Sequence, residues 1–394
     1  MRQRLPAYTE KSCMNAPSIN SARPIAVVID GFGSGGAQRV AAHLIGHWQS
    51  VGRDVVAITL KSPKEDFFEL PAGVKRIVIA GVRASANPWS ALIANIGRII
   101  RLRRALVRAN AATVIVFLTP MNVLAILASI GLRLTLAISE RNDPQRQDPG
   151  IQWRFLRRLL YRFADRITAN SAHAVEIMSS YVPRARLAVV RNPVSLPETM
   201  ADPVSNRIIL NVGRLVPQKG QIQILQALSF LDVAAAGWQL NILGDGPLRD
   251  ELIQQGRGLG IGPIVDLLGN VRDPSPFYKS AGIFVLSSLY EGTPNALLEA
   301  MSFGLPCIVS DCLPGALDYV EDGRTGLVYR AGDSRHLAAC LQRLMDDASL
   351  RKKLGEAARA RVAQDSITAV AARWEELLDM RETAASNPGE ETTA

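Results

Sequence analysis

The chain has 394 residues, enough for two domains of ordinary size, and its 48% apolar and 6% aromatic content fits a folded α/β protein. It contains no uninterrupted apolar run of the ~18 residues that a spanning helix needs. The net charge of +9 is unevenly divided: residues 1–200 hold 27 Lys and Arg against 12 Asp and Glu, whereas residues 201–394 hold 18 against 24. One half is therefore built to meet something anionic. Nucleic acid fits poorly, because no aromatic interleaving or reader motif accompanies the basic residues.

The first stretch, Met1–Ser21, is polar and mixed and lacks the apolar core of a signal peptide, so it reads as a disordered extension. From residue 22 to 198 short β-rich apolar runs alternate with helical patterns. Pro24–Asp30, Asp54–Leu60, Thr113–Phe117, Leu134–Ser139, Ile167–Asn170 and Leu187–Arg191 read as buried strands of a parallel sheet. Ala37–Gln49, Ser90–Arg108 and Gln152–Phe163 read as helices between them. The Pro-containing stretch Pro197–Ser205 marks a linker, at 199–205. A second series, within 206–365, comprises Arg207–Val212, Gln239–Leu243, Val265–Leu268, Ile283–Leu286, Cys307–Ser310 and Gly326–Tyr329. Helical segments follow at Ser334–Asp346, Ala348–Arg361 and Thr368–Met380, the last (366–380) expected to pack back on the first domain. Residues 381–394 read as a disordered tail. This alternation predicts two doubly wound, Rossmann-like α/β domains. The four cysteines, Cys13, Cys307, Cys312 and Cys340, have no metal-ligand grouping and point to a reducing, cytoplasmic setting.

The densest signal is Tyr290-Glu291-Gly292-Thr293-Pro294-Asn295-Ala296-Leu297-Leu298-Glu299. Thr293 suits an N-cap and Pro294 the first helical position. The amides of Asn295, Ala296 and Leu297 then emerge at the positive end of a helix, which suits a phosphate. Glu291 precedes that anion site in a loop and Glu299 follows it on the helix. The ligand so described has a central diphosphate with hydroxyl-rich rings on both sides, as in a nucleotide sugar.

Three further segments bear on it. Gly213-Arg214-Leu215-Val216-Pro217-Gln218-Lys219-Gly220 follows the first strand of the second half and sets two cations at the sheet edge where open α/β folds bind ligands. They would neutralise a diphosphate without a metal ion. Asn270, after the strand at Val265–Leu268, offers a backbone that can read a base edge. Gly31, Gly33 and Gly36 match GxGxxG after the first strand, and Gly33, Gly35 and Gly36 could floor a donor phosphate. A dinucleotide reading, and with it an NAD(P)-dependent oxidoreductase, would need an acidic residue at the end of the second strand. That position carries Lys61-Ser62.

Taken in order, Gly35-Gly36-Ala37-Gln38-Arg39-Val40, Gly213-Arg214 with Gln218-Lys219-Gly220, Gly244-Asp245-Gly246-Pro247 and Glu291…Glu299 resemble the retaining GT-B glycosyltransferases of family 4, from about Pro24 to Met380. The resemblance implies two Rossmann-like domains facing across a cleft. Arg214 and Lys219 would hold the donor diphosphate, and Glu291 would contact the transferred sugar. Glu299 would bind the ribose, with amides from Gly292 to Leu298 along the sugar and phosphate. No cofactor and no metal is implied; the nucleotide sugar, a UDP-sugar, is a substrate. The chain departs from many members in lacking a His after Leu134–Ser139. It has Ser139-Glu140-Arg141-Asn142 instead, which resembles a subgroup that extends lipid-linked oligosaccharides in bacterial surface-glycan assembly. Glu140 and Arg141 thereby become acceptor-side candidates. His43 and His47 share a helix at metal-ligand spacing but lack a third ligand.

Two helical segments carry basic faces. Arg98, Arg101, Arg104 and Arg108 lie opposite Ile96, Ile99, Ile100, Leu106 and Val107. Arg154, Arg157, Arg158 and Arg162 lie opposite Phe155, Leu156, Leu159, Leu160 and Phe163. Such helices suit an anionic leaflet or a lipid pyrophosphate, which predicts a peripheral protein at the inner face of the cytoplasmic membrane. A non-catalytic protein of the same shape that binds nucleotide sugars is the alternative outside the enzymes.

Overall fold

A computed structural model describes residues 23–33, 35–79, 88–141 and 150–385, except for the side chains of 88–92 and 379–385. The predicted N-terminal extension, most of the tail, and Asn142 of the Ser-Glu-Arg-Asn pattern lie outside the described residues.

In chain order the first half contains β1 (Ile25–Ile29), α1 (Gly36–Ser50), β2 (Val55–Thr59), β3 (Lys75–Val78), α2 (Pro88–Ala109), β4 (Thr113–Phe117) and α3 (Thr119–Ser129). It continues with β5 (Thr135–Glu140), α4 (Ile151–Leu160), β6 (Arg166–Ala169), α5 (Ala172–Ser179) and β7 (Leu187–Val189). The second half contains β8 (Ile208–Val212), α6 (Gln221–Leu228), β9 (Gln239–Leu243), α7 (Arg249–Gly258), β10 (Val265–Gly269), α8 (Ser275–Ser280), β11 (Ile283–Leu286) and α9 (Asn295–Ser302). It ends with β12 (Cys307–Ser310), α10 (Pro314–Leu317), β13 (Leu327–Tyr329), α11 (Ser334–Asp346), α12 (Ala348–Ala363) and α13 (Ile367–Ala385).

The chain divides into two compact units. The first takes the described residues up to Asn170, Ala174–Pro193 and the chain from Ile367; the second takes Ser171–His173 and Val194–Ser366. Among the described residues the first sheet has order β3-β2-β1-β4-β5-β6-β7 and the second β10-β9-β8-β11-β12-β13. All their pairings are parallel. Central strands such as Ile25–Ile29 and Val55–Thr59 are buried along their whole length, the expected state of a sheet covered on both faces. Each expected strand is present, and the sheets add β3, a half-exposed edge strand whose sequence Lys-Arg-Ile-Val carries no buried-strand signature.

The expected linker is displaced. The stretch from Pro197 is tied to the second unit. Arg351 donates to the Pro203 carbonyl (2.6 Å) and the Val204 carbonyl (2.9 Å), and Arg359 donates to the Pro197 carbonyl (2.9 Å). Ala201 is buried, with its amide on Phe303 (2.9 Å). Apart from the short segment Ser171–His173, the chain passes between units at Pro193–Val194 and at Ser366–Ile367 instead.

α13 completes the first unit. Trp374 is fully buried against Phe117, with ring centroids 6.2 Å apart. Trp48 of α1 donates to Glu375 (3.1 Å). Val370, Ala371 and Leu378 join the same core as Val27, Leu44 and Ile115. Removing a buried indole leaves a cavity as well as lost transfer energy. Trp374→Ala should therefore destabilise the first unit by about 3–5 kcal/mol. In urea titration the near-ultraviolet transition of that unit should move to lower denaturant; an unchanged midpoint would mean that α13 contributes little to its core.

Candidate active site

In the second sheet, β8 and β11 are neighbours, and the chain leaves them in opposite directions, toward β9 on one side and β12 on the other. Such a switch point opens a crevice at the carboxyl ends of the two strands. The loops that follow them are 213–220 and 287–294, which carry the candidate residues Gly213, Arg214, Lys219, Glu291, Gly292 and Thr293.

The two loops are fastened to each other by backbone and side-chain bonds. The Leu289 amide donates to the Gln218 carbonyl (2.8 Å), and the Gln218 side chain donates to the Tyr290 carbonyl (2.8 Å). The Ser287 hydroxyl donates to the Lys219 carbonyl (2.8 Å). Gly220, with φ +61°, packs so closely that a Cβ there would overlap the Ser287 carbonyl. On the other flank Gly244, with φ +133°, lies against the Gly213 carbonyl in the same manner. Both positions demand glycine for conformation and for space.

This frame brings Lys219 and Glu291 together as an ion pair between Lys219 Nζ and Glu291 Oε1, both side chains largely buried. The Ser288 hydroxyl donates to the same carboxylate oxygen (2.8 Å). The Gln218 amide is thus a positioning group, and so are Ser287 and Ser288, which the sequence reading did not single out. Their only advance signal was a pair of small hydroxyl residues at the end of a buried strand. Arg214 stands differently: its side chain is exposed, and its backbone carbonyl accepts from Gln221 (3.1 Å).

The start of α9 lies one residue later than expected. Pro294 is the N-cap, and its carbonyl accepts from the amides of Leu297 (3.1 Å) and Leu298 (3.3 Å). Proline has no amide to lose there, so its carbonyl can open the helix. The Leu297 amide is consequently committed to the helix. The amides of Asn295 and Ala296 stand ahead of the first intrahelical bond. Leu297 and Leu298 are buried in the core, whereas Glu299 is half-buried on the helix. Asn270 is exposed after edge strand β10.

The first unit has its own switch point, between β1 and β4. Gly33, Gly35 and Gly36 follow β1, with Gly35 the N-cap and Gly36 the first residue of α1. The loop is braced by Asp66, which accepts from the Phe32 amide (3.3 Å), and by Gln38, which donates to Asp30 (3.0 Å). Beside it the side chain of Lys61 lies against Gly31, where a dinucleotide site would need an acid. After β4, Leu118 holds φ +79°, an uncommon conformation for a bulky residue. His43 is buried in α1. Burial, and then Arg39, keep its imidazole neutral, with its pKa lowered to about 3.

The acceptor-side candidates prove to be buried. Glu140 is fully enclosed and accepts from the Thr119 hydroxyl (2.8 Å) and the Tyr161 hydroxyl (2.9 Å), with Arg157 at 4.0 Å. Burial, and then this carboxylate, push the Tyr161 phenol well above its ordinary pKa. Arg141 donates to the Val190 carbonyl and the Asn192 side chain, both at 2.9 Å, and its guanidinium lies over the rings of Phe117 and Trp374. Both residues hold the first unit together around β5.

The basic helices also differ from expectation. Arg157 is buried beside Glu140, while Arg154 and Arg158 are exposed. In α2, Arg104 and Arg108 are exposed, but Arg98 and Arg101 are half-buried. Of the residues expected opposite the arginines, Ile96, Ile100, Val107, Phe155, Leu159 and Phe163 lie at the surface. The inward faces are made instead by Leu102, Ala105 and Leu106 in α2, and by Trp153, Leu156 and Leu160 in α4. Among the described residues no helix is long and apolar enough to cross a membrane.

Comparison with known proteins agrees with this architecture. Residues 198–361 match the model of glycosyl transferases group 1, and residues 35–193 match that of the glycosyl transferase 4-like domain. The chain is 30% identical over 358 residues to a Campylobacter jejuni protein, covering 90% of this chain and 98% of that one. That protein is the GalNAc-alpha-(1->4)-GalNAc-alpha-(1->3)-diNAcBac-PP-undecaprenol alpha-1,4-N-acetyl-D-galactosaminyltransferase. This chain is also 33% identical over 173 residues to the lipopolysaccharide 1,6-galactosyltransferase of Salmonella typhimurium, covering 42% of this chain and 48% of that one. Similar folds occur in the lipopolysaccharide outer core galactosyltransferase WaaB (TM-score 0.74, 21% identity, 91% of this chain and 99% of that one) and in Anabaena HepE in complex with UDP (TM-score 0.74, 18% identity, 91% and 100%). With two parallel α/β units, a cationic switch-point site and a relative matched along nearly its whole length, the chain belongs to the GT-B glycosyltransferases of the group 1, family 4 type.

Proposed function

We propose that the chain transfers a sugar, with retention of anomeric configuration, from a UDP-sugar to a lipid-linked saccharide in bacterial surface-polysaccharide assembly. The observation that carries this reading is the Lys219–Glu291 pair at the second unit's switch point, beside Arg214 and the start of α9. The Campylobacter relative's name specifies an undecaprenol-diphosphate saccharide, and the similar fold of HepE holds UDP. Both motivate the donor and acceptor classes.

In this reading Arg214 and Lys219 meet the donor diphosphate, and the amides at the start of α9 add partial positive charge. Glu291, already held by Lys219 and Ser288, presents its carboxylate to hydroxyls of the transferred sugar. Glu299 takes the ribose. The departing diphosphate accepts the proton of the incoming hydroxyl on the face it leaves, so the chemistry requires no side-chain base. The growing negative charge on the diphosphate is stabilised by fixed cations. No metal ion is needed for this step. The basic first unit holds the acceptor against an anionic membrane surface at the cytoplasmic side.

Arg214→Ala and Lys219→Ala should each slow transfer by roughly 10²-fold or more at saturating donor, because the charge they meet grows in the transition state. Lys219→Ala also leaves Glu291 without its cation, so a Lys219→Arg variant should recover part of the rate. Near-normal turnover in the two alanine variants would remove the diphosphate role.

The two carboxylates should separate in calorimetry. Glu299→Gln is expected to weaken binding of free UDP. Glu291→Gln should bind UDP almost normally while transfer falls, and equal losses of UDP affinity in both would refute the assignment of ribose and sugar ends.

Transfer should persist in excess chelator. Loss of turnover that magnesium restores would show that the diphosphate charge is neutralised by an ion rather than by Arg214 and Lys219.

A further inference from the structure

The loop that carries Glu291 rests on a third loop. β12 lies beside β11 in the second sheet, and its last residue, Ser310, leads through 311–313 into the short α10. The buried Ser310 hydroxyl donates to the Ser288 carbonyl (3.2 Å). The Cys312 thiol donates to the Leu289 carbonyl (3.2 Å) and lies 3.8 Å from that of Ser288. Ser310 Oγ and Cys312 Sγ are themselves 3.2 Å apart. Gly315 of α10 then packs on the Gly292 carbonyl so closely that a Cβ would overlap it. Ser310, Cys312 and Gly315 thus meet Ser288, Leu289 and Gly292 in the same order, one loop laid along the other.

The supporting loop is held from behind. The Asp311 amide donates to the Tyr329 carbonyl (2.9 Å), and the Asp311 carboxylate accepts from the Ala331 amide (2.9 Å). The Tyr329 hydroxyl donates to the Gln223 side chain (3.2 Å), and the Gln223 amide donates to the carbonyl of Gly220, the residue after Lys219 (3.0 Å). The frame therefore closes on itself. It runs from the Lys219 loop through the end of β13 and the loop after β12 to Ser288, whose own hydroxyl holds the Glu291 carboxylate (2.8 Å). A buried carbonyl that loses its donor is costly, so the peptides of Ser288 and Leu289 are pinned where Ser310 and Cys312 stand. Only Leu289 and Tyr290 separate Ser288 from Glu291, and a shift of those peptides carries the carboxylate with it.

We infer that Ser310 and Cys312 are positioning residues for the sugar-transfer step. Acting through Ser288 and Leu289, they set where the Glu291 carboxylate meets the hydroxyls of the transferred sugar. This rests on the donor reading proposed above and adds the loop after β12 to it. The contacts of Ser310 and Cys312 fall on the loop at the sugar end of the donor. The Arg214 backbone is held instead by Gln221 and that of Lys219 by Ser287, while Glu299 stands on α9. Loss of the two groups should therefore appear in the chemical step and not in the grip on the nucleotide. A reacting group displaced by about 1 Å is enough to slow catalysis severely.

The test uses the full chain, with UDP as the binding probe. Turnover is read as UDP released, with water as the acceptor, from whichever UDP-hexose or UDP-N-acetylhexosamine the wild type consumes fastest. S310A/C312A should lower kcat by roughly 10-fold or more while UDP affinity in calorimetry stays within about twofold of wild type. C312S, which keeps a hydrogen-bond donor, should lie nearer to wild type than C312A. In the Glu291→Gln background the double change should slow release by less than about twofold further, because residues acting through one carboxylate are not additive. Wild-type kcat in S310A/C312A would overturn the inference and leave the donor reading standing. A full further loss in the Glu291→Gln background, or a parallel loss of UDP affinity, would mark a merely structural pair and overturn it equally. Should the double variant fail to fold, C312A and C312S carry the same comparisons at a half-buried position. Binding of UDP without release from any of the donor sugars would remove the transfer reading itself, and the inference with it.

Discussion

The constraint on which both units depend is that their strands all run parallel. Each strand must be followed by a crossover that carries the chain back to the end where the strand began, so all strands finish at the same end of the sheet. Every loop after a strand therefore gathers at one edge. Where the winding reverses, two such loops face each other with no crossover between them. Arg214 and Lys219 follow β8, Glu291 follows β11, and these strands are adjacent in the sheet although far apart in sequence. The site is thus a consequence of strand order before it is a consequence of any side chain.

Close backbone approach then turns adjacency into geometry. Gly244 lies on the Gly213 carbonyl and Gly220 on the Ser287 carbonyl, so the loops after three strands seat on one another with no room for a Cβ. Gln218 and Ser287 fill the remaining donor and acceptor positions. The result is a Lys219–Glu291 pair whose two partners are each held by a second bond, from Ser287 on the Lys219 backbone and from Ser288 on the Glu291 carboxylate. A pair held in this way need not reorganise as charge develops nearby, which is the condition for electrostatic stabilisation of a transition state.

Much of this was legible in the sequence, for a physical reason. Strands buried on both faces must be continuous apolar runs, so Ile25–Ile29, Thr113–Phe117 and Cys307–Ser310 announced themselves. The cap grammar around Pro294 and the glycines near Arg214 marked loops that must turn tightly. What escaped lay where local signals vanish. β3 is a polar edge strand whose place is set by pairing with β2. α3, Thr-Pro-Met-Asn-Val-Leu-Ala-Ile-Leu-Ala-Ser, is apolar around its circumference and has little amphipathic period to read, because it is enclosed by its neighbours. The linker was misplaced because composition cannot show that Arg351 and Arg359 bind that stretch down.

The face of α4 was misread for a related reason. Its apolar residues are divided almost evenly: Trp153, Leu156 and Leu160 on one side, Phe155, Leu159 and Phe163 on the other. Fully burying one such side chain contributes about 1.5–3 kcal/mol. A half-turn of the helix would exchange one set for the other and leave the apolar balance nearly unchanged. Breaking a buried ion pair costs about 3–5 kcal/mol. The Glu140–Arg157 pair, with Thr119 and Tyr161 on the same carboxylate, is therefore large enough to decide the rotation, and it decides for the face that leaves Phe155 and Phe163 outward. Hydrophobic periodicity alone cannot resolve such a helix. A single carboxylate on the neighbouring strand does, and the fold in this way displays an apolar surface that its own core has no need to absorb.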